Sequence, residues 1–207
     1  MVSWSHRVLK RLRRREPIVV VSGLPRSGTS MAMKMLAAGG MPVLTDGVRT
    51  ADESNPKGYY ELEAVKELHK QSDTSWLEDA RGKAVKVVSF LLTWLPETYD
   101  YKVIFMQRDV REVIASETTM LLQRGQPVDT ASEDHTRLVY QQHLAKVEKF
   151  LSNRRCFTTM KLNYRDALER PEDAARRIRD FLGRPLDVEQ MAQVADPALY
   201  RNRVPPA

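Results

Sequence analysis

Two short runs carry residues suited to gripping negatively charged oxygens. The first, Gly23-Leu-Pro-Arg26-Ser27-Gly28-Thr29-Ser30, directly follows the apolar run Ile18-Val19-Val20-Val21-Ser22. A glycine-rich turn feeding a helix aims backbone N–H groups and the positive end of the helix dipole at one spot, and that spot favours an anion. Gly23 and Gly28 stand at the G-x-x-x-x-G spacing of a nucleotide-binding phosphate loop. Such a loop continues with Lys and then Ser or Thr; here the two residues are Thr29 and Ser30. The missing lysine is the group that bridges the terminal phosphates in NTPases, so ATP hydrolysis and phosphoryl transfer are disfavoured. The loop offers instead the planar, multi-donor guanidinium of Arg26, which suits a tetrahedral oxyanion, with Ser27, Gly28, Thr29 and Ser30 around it. The bland alternative is a plain tight turn between a strand and a helix. The second run opens with Arg108 at the end of an apolar segment and places Ser116 eight residues on, two helical turns away. An arginine and a hydroxyl so arranged can hold a second anion, although Arg108 could equally pair with Asp109 or Glu112.

These runs need elements to bring them together. Residues 18–22 read as a strand buried on both faces, the type found in parallel sheets. A helix is expected over 29–38, stopped by Gly39-Gly40, then loop-like chain over 41–58 and a helix over 61–71. Strands follow at 84–88, 101–107 and 156–162. Asp109 and Glu112 have capping-box spacing and open a helix to about Gln123; a second such box at Thr130–Glu133 opens another. Pro171, with Glu172 and Asp173, starts a helix that ends at Gly183. Strands alternating with helices predict an α/β, three-layer fold: a central, mostly parallel sheet with helices on both faces, of the P-loop nucleotide-binding type. Ligands of such sheets collect beyond the carboxyl ends of the strands, which puts both anion seats on the same edge.

Charge patterning narrows the partners. The 207 residues hold 33 Lys and Arg against 27 Asp and Glu, a net of +6. Six of the basic residues (Arg7, Lys10, Arg11, Arg13, Arg14 and Arg15) and no acid fall within residues 1–15, so residues 16–207 hold 27 charges of each sign. The basic surplus belongs to a tail, 1–16, ahead of a single domain, 17–207, and nucleic acid is not an expected partner of that domain. Trp4, Val8 and Leu12 repeat at helical spacing among the basic residues. That pattern suits peripheral contact with an anionic membrane, while a solvated leader or a helix packed on the domain is the plainer reading. A single cysteine, Cys156, leaves no internal disulfide and fits a reducing, cytoplasmic setting.

Taken together, the two runs resemble the PAPS-dependent sulfotransferase family, small bacterial type (PAPS is 3′-phosphoadenosine 5′-phosphosulfate). Residues 18–36, with Pro25-Arg-Ser-Gly-Thr29, look like the family's 5′-phosphosulfate loop. Residues 103–116, with Arg108 and Ser116, look like its 3′-phosphate segment. Met160-Lys-Leu-Asn-Tyr164-Arg-Asp166 and Ile178-Arg-Asp-Phe-Leu-Gly183 resemble the later strand and helix, so the likeness spans roughly residues 17–203. It implies transfer of a sulfuryl group from PAPS to an acceptor hydroxyl or amine, on a small molecule, glycan or lipid, with PAP as product and no metal required. It also implies that residues 26–30 hold the 5′-phosphosulfate, that Arg108 and Ser116 hold the 3′-phosphate, and that Arg201 and Arg203 add cations there.

The general base is where the pattern departs. Cytosolic-type members carry a Lys-Thr-His segment whose His is the base; here Lys86 has a counterpart but Val88 stands at the His position. Lys86 is then a candidate cation for the sulfuryl or bridging oxygen, or a strand lysine reaching to solvent. A carboxylate base takes the place of the His in other members, and Asp46 falls nearest its position, with Glu61 and Glu53 as rivals. Carboxylates serve as bases at neutral pH when burial raises their pKa. The competing functions are a non-catalytic or atypical P-loop nucleotide-binding protein and a kinase-like phosphotransferase. Sequence alone names neither the acceptor nor the oligomeric state.

Overall fold

The structure is a computed structural model describing residues 16–47, 60–70, 73–128, 132–200 and 203–204. Residues 1–15, Glu53, Thr130 and Arg201 lie outside the described residues, and with them the expectations placed there.

The β-branched run after Pro17 forms β1 (Ile18–Ser22), buried along its whole length. It feeds α1 (Thr29–Ala38) through the glycine turn. Next come α2 (Glu63–Lys66), a 3₁₀ turn at Leu68–Lys70, and α3 (Trp76–Asp79). After these come β2 (Ala84–Lys86) and a 3₁₀ stretch at Ser89–Trp94. Strand β3 (Tyr101–Gln107) leads into α4 (Val110–Gln123), and α5 (Glu133–Ser152) into β4 (Phe157–Asn163). The chain closes with α6 (Tyr164–Glu169), α7 (Pro171–Leu182), α8 (Val188–Ala192) and a 3₁₀ turn at Pro197–Leu199.

The four strands form one sheet in the order β2-β1-β3-β4, every pairing parallel. β1 lies at its centre, with Val20 opposite Val85 on one side and Val103 on the other. Alternation along the strands sorts the core into two layers. Val19, Val21, Ile104 and Met106 pack with Met33, Leu36, Ile178 and Met191 from α1, α7 and α8. Ile18, Val20, Val103 and Phe105 pack with Leu77, Leu92, Val147 and Leu151 on the other face. The expected three-layer α/β fold is the observed one.

Local chemistry fixes several boundaries. Asp109 caps α4, its carboxylate accepting from the Arg111 amide, and Ser132 caps α5 by accepting from His135. Gly183, at φ 65°, ends α7, whose last carbonyls at Phe181 and Leu182 accept from Lys102 Nζ at 2.9 and 2.8 Å. The helix expected over 61–71 is instead short and broken. His69 Nδ1 donates to the Lys66 carbonyl at 2.7 Å, the acceptor that a continuing α-helix would give to the Lys70 amide. Lys70 turns to the Glu67 carbonyl, and the chain tightens to 3₁₀.

Candidate active site

All the residues singled out on the first loop and the Arg108 segment lie at the carboxyl edge of the sheet. β1, β2 and β3 end at Ser22, Lys86 and Gln107, and β4 at Asn163, just before Tyr164. Arg26, Gly28, Thr29, Ser30, Lys86, Arg108 and Ser116 border a cleft of about 450 Å³ that runs from the glycine turn past α2 to the end of α4.

The turn is held in an unusual conformation. Gly28 caps α1 at φ 100°, with no capping side chain and no acid in the first helical turn. A Cβ there would strike the Tyr164 ring. Arg26 has a left-handed backbone at φ 65°, a conformation that costs a non-glycine residue energy and concentrates at functional sites. This twist carries its side chain across to α4, where Nε donates to Ser116 Oγ at 3.1 Å. Arg108 returns the contact, donating from Nη1 to the Arg26 carbonyl at 2.9 Å. Residues 90 and 82 positions apart are thus hydrogen-bonded, and the two expected anion seats form one continuous wall.

Arg108 is further fixed from behind. Its Nε donates to Glu112 at 3.0 Å, and its guanidinium lies 4.8 Å from the Tyr164 ring centre and 5.3 Å from that of Tyr200. Glu112 does not complete the capping box at Asp109. It is buried instead, accepting from the Tyr200 hydroxyl, the Val204 amide, Arg108 and Arg165. Burial alone would raise its carboxyl pKa, but these donors outweigh burial and hold it below the ordinary value. Burial pushes the Tyr164 hydroxyl up, and burial together with Glu112 does the same for Tyr200, so both stay protonated.

At the other end of the cleft Lys86, far from reaching to solvent, is buried at the tip of β2. Its Nζ lies 3.4 Å from Ser30 Oγ and 3.3 Å from a Glu61 carboxylate oxygen. Around this pair Leu62, Val65, Val88 and Leu91 supply apolar wall. Val88, at the position of the His in cytosolic-type members, contributes apolar surface.

The remaining candidates fall elsewhere. Ser27 turns inward: its hydroxyl and amide both donate to the Leu24 carbonyl, closing the turn, and it does not border the cleft. Asp46 is exposed outside the cleft, and its carboxylate accepts from the Glu63 amide at 2.6 Å, beside the start of α2. Arg203 lies over the Tyr200 ring, 4.6 Å from its centre, and does not border the cleft. Arg165 and Tyr200 complete the Glu112 cluster and were not among the expected site residues. Both sit where the hydropathy pattern carries no period, so only their chemistry, a cation and a phenol near a second anion seat, could have flagged them. Among the described residues, no group of three or more His, Cys, Asp or Glu is placed to hold a metal ion.

Comparison with known proteins identifies the family and the fold. Residues 61–188, more than half of the chain, match the Sulfotransferase family. The chain belongs to the sulfotransferase family. No curated protein sequence matches it. Its fold is similar to that of sulfotransferase STF1 from Mycobacterium tuberculosis, with a TM-score of 0.60, 17% identity, and 95% of this chain and 76% of that one covered. Sulfotransferase STF9 from Mycobacterium avium follows at 0.54 and 14%, covering 97% and 72%. Retinol dehydratase, solved with retinol and PAP, gives 0.50 and 19%, covering 87% and 64%. At these identities the likeness is one of fold.

Proposed function

We propose that this cleft binds PAPS and passes its sulfuryl group to the hydroxyl or amine of a small-molecule acceptor. The observation that carries the reading is the double link between Arg26, Ser116 and Arg108, which joins two anion seats in one cleft. A nucleotide phosphorylated at both ends is the ligand such a wall fits, and a fold neighbour holds PAP.

In this reading the amide end of α1, Thr29, Ser30 and Arg26 hold the 5′-phosphosulfate, while Arg108 and Ser116 hold the 3′-phosphate. The acceptor oxygen or nitrogen attacks sulfur in line. The bond from sulfur to the bridging 5′-phosphate oxygen breaks, and PAP leaves with that electron pair. Charge develops on the bridging and sulfuryl oxygens, where fixed cations and amides act most strongly. Lys86, next to Ser30, is the cation for the leaving oxygen. Glu61, beside Lys86 and inside the cleft, takes the acceptor's proton; Asp46, outside the cleft, ranks below it. Residues 62, 65, 88 and 91 would seat an apolar portion of the acceptor next to that base.

The reading keeps a single domain at 17–207 in the cytoplasm. Among the described residues no helix is long and apolar enough to cross a membrane. A transfer assay with sulfur-labelled PAPS and a mixed set of alcohols, amines and glycans, with products identified by mass, tests it. Label is expected on an acceptor at rates above PAPS hydrolysis. PAP binding with no transfer to any acceptor would favour a non-catalytic nucleotide-binding protein.

A further inference from the structure

We infer that Glu112 is a positioning residue for the 3′-phosphate of the donor, acting through Arg108 and through Tyr200 and Val204 near the C-terminus. The inference deepens the PAPS reading and depends on it. A buried carboxylate close to a seat for a dianion is at first sight the wrong charge: it repels the ligand that Arg108 is there to attract. Its contacts say what it does instead. It anchors the Nε edge of Arg108 at 3.0 Å, while the Arg26 carbonyl anchors Nη1. A guanidinium is planar, so contacts at both Nε and Nη1 fix its plane and the direction in which it faces. The Tyr164 and Tyr200 rings beside it restrict tilting out of that plane.

The same carboxylate gathers distant chain. The Tyr200 hydroxyl lies 2.7 and 2.8 Å from its two oxygens, and the Val204 amide 3.1 Å away. Arg165 donates both to Glu112 and to the Val204 carbonyl. Five donor contacts from four residues on β3's exit, α6 and the C-terminal segment therefore converge on one residue in the first turn of α4. With Glu112 in place, Tyr200 is pinned beside Arg108 as a wall of the seat. Without it, the arginine plane loses one of its two anchors and the Tyr200 hydroxyl loses its carboxylate acceptor.

Charge and position make opposite forecasts for Glu112→Gln. Removing a negative charge should tighten an anion; removing the anchor should loosen the one anion that needs Arg108 aimed. Calorimetric titration of wild-type, Glu112→Gln and Tyr200→Phe protein with PAP and with adenosine 5′-phosphate separates them. Glu112→Gln is expected to weaken PAP about tenfold, in line with loss of a charge-assisted contact, and to leave adenosine 5′-phosphate within about twofold. A general structural lesion would weaken both ligands together. Tyr200→Phe keeps the ring and removes one anchor, so it should weaken PAP by a smaller factor in the same direction, and it decides the matter if Glu112→Gln does not fold. PAP affinity unchanged or tightened in the folded variants would overturn the inference while leaving the donor assignment standing. Wild-type protein that binds the two ligands equally would overturn the donor assignment itself, and this inference with it.

Discussion

Lys86 and Glu61 show what single residues contribute and how far their pairing could be foreseen. They are twenty-five positions apart, and nothing in their spacing predicts contact; they meet because β2 ends where the chain enters α2. Arg26, Arg108 and Ser116 were legible because each sits at a fixed offset from a strand end, where polar donors have a chemical purpose. Asp46 illustrates the reverse: a carboxylate at a suitable distance along the sequence, but bonded to the amide of Glu63. The division of labour at the acceptor end makes a specific forecast. Glu61→Gln should lower kcat about 100-fold, the ordinary contribution of a positioned general base, with the affinity for PAP unchanged. Asp46→Asn in the same assay should leave kcat near wild type. The reverse pattern would move the base to Asp46.

At the level of elements, the strands and long helices followed their patterns closely, because a buried apolar run or a stripe at helical spacing leaves few alternatives. Predicted and observed limits coincide at 18–22, 29–38 and 101–107. The segment over 61–71 departed because one side-chain hydrogen bond, from His69 to the Lys66 carbonyl, competes with the helix ladder, and periodicity does not register that competition. The junction of β1 with α1 depends on Gly28 in both senses: its positive φ and the absence of a side chain beneath the Tyr164 ring. Gly28→Ala should therefore destabilise the protein by about 2–4 kcal/mol, combining left-handed strain with overpacking, and weaken every ligand that uses the turn. Thermal unfolding and PAP titration of that variant check both effects. An alanine variant with wild-type stability would mean the turn is not held as described.

Across the whole molecule, the parallel sheet explains why two weak local signals make one site. β1 and β3 are neighbours, so the turn after one and the arginine after the other are brought edge to edge although some eighty residues separate them. That topology was legible as a class, an alternating α/β chain with ligands at the carboxyl edge. The strand order β2-β1-β3-β4 was not, because order depends on how helices pack across the sheet and leaves no periodic trace in sequence. The C-terminal segment is the least legible part: without period, its described residues Tyr200 and Val204 are placed by bonds to Glu112 and Arg165 and by the packing of Tyr200 on Tyr164. The claim on which the rest depends is that this edge grips an adenosine nucleotide phosphorylated at both ends. Calorimetric titration of the wild-type chain with PAP and with ADP measures it directly. The account predicts PAP bound at least about tenfold more tightly than ADP, a difference near 1.4 kcal/mol, and that margin abolished in Arg108→Ala. Equal affinities for PAP and ADP in the wild-type chain would contradict it.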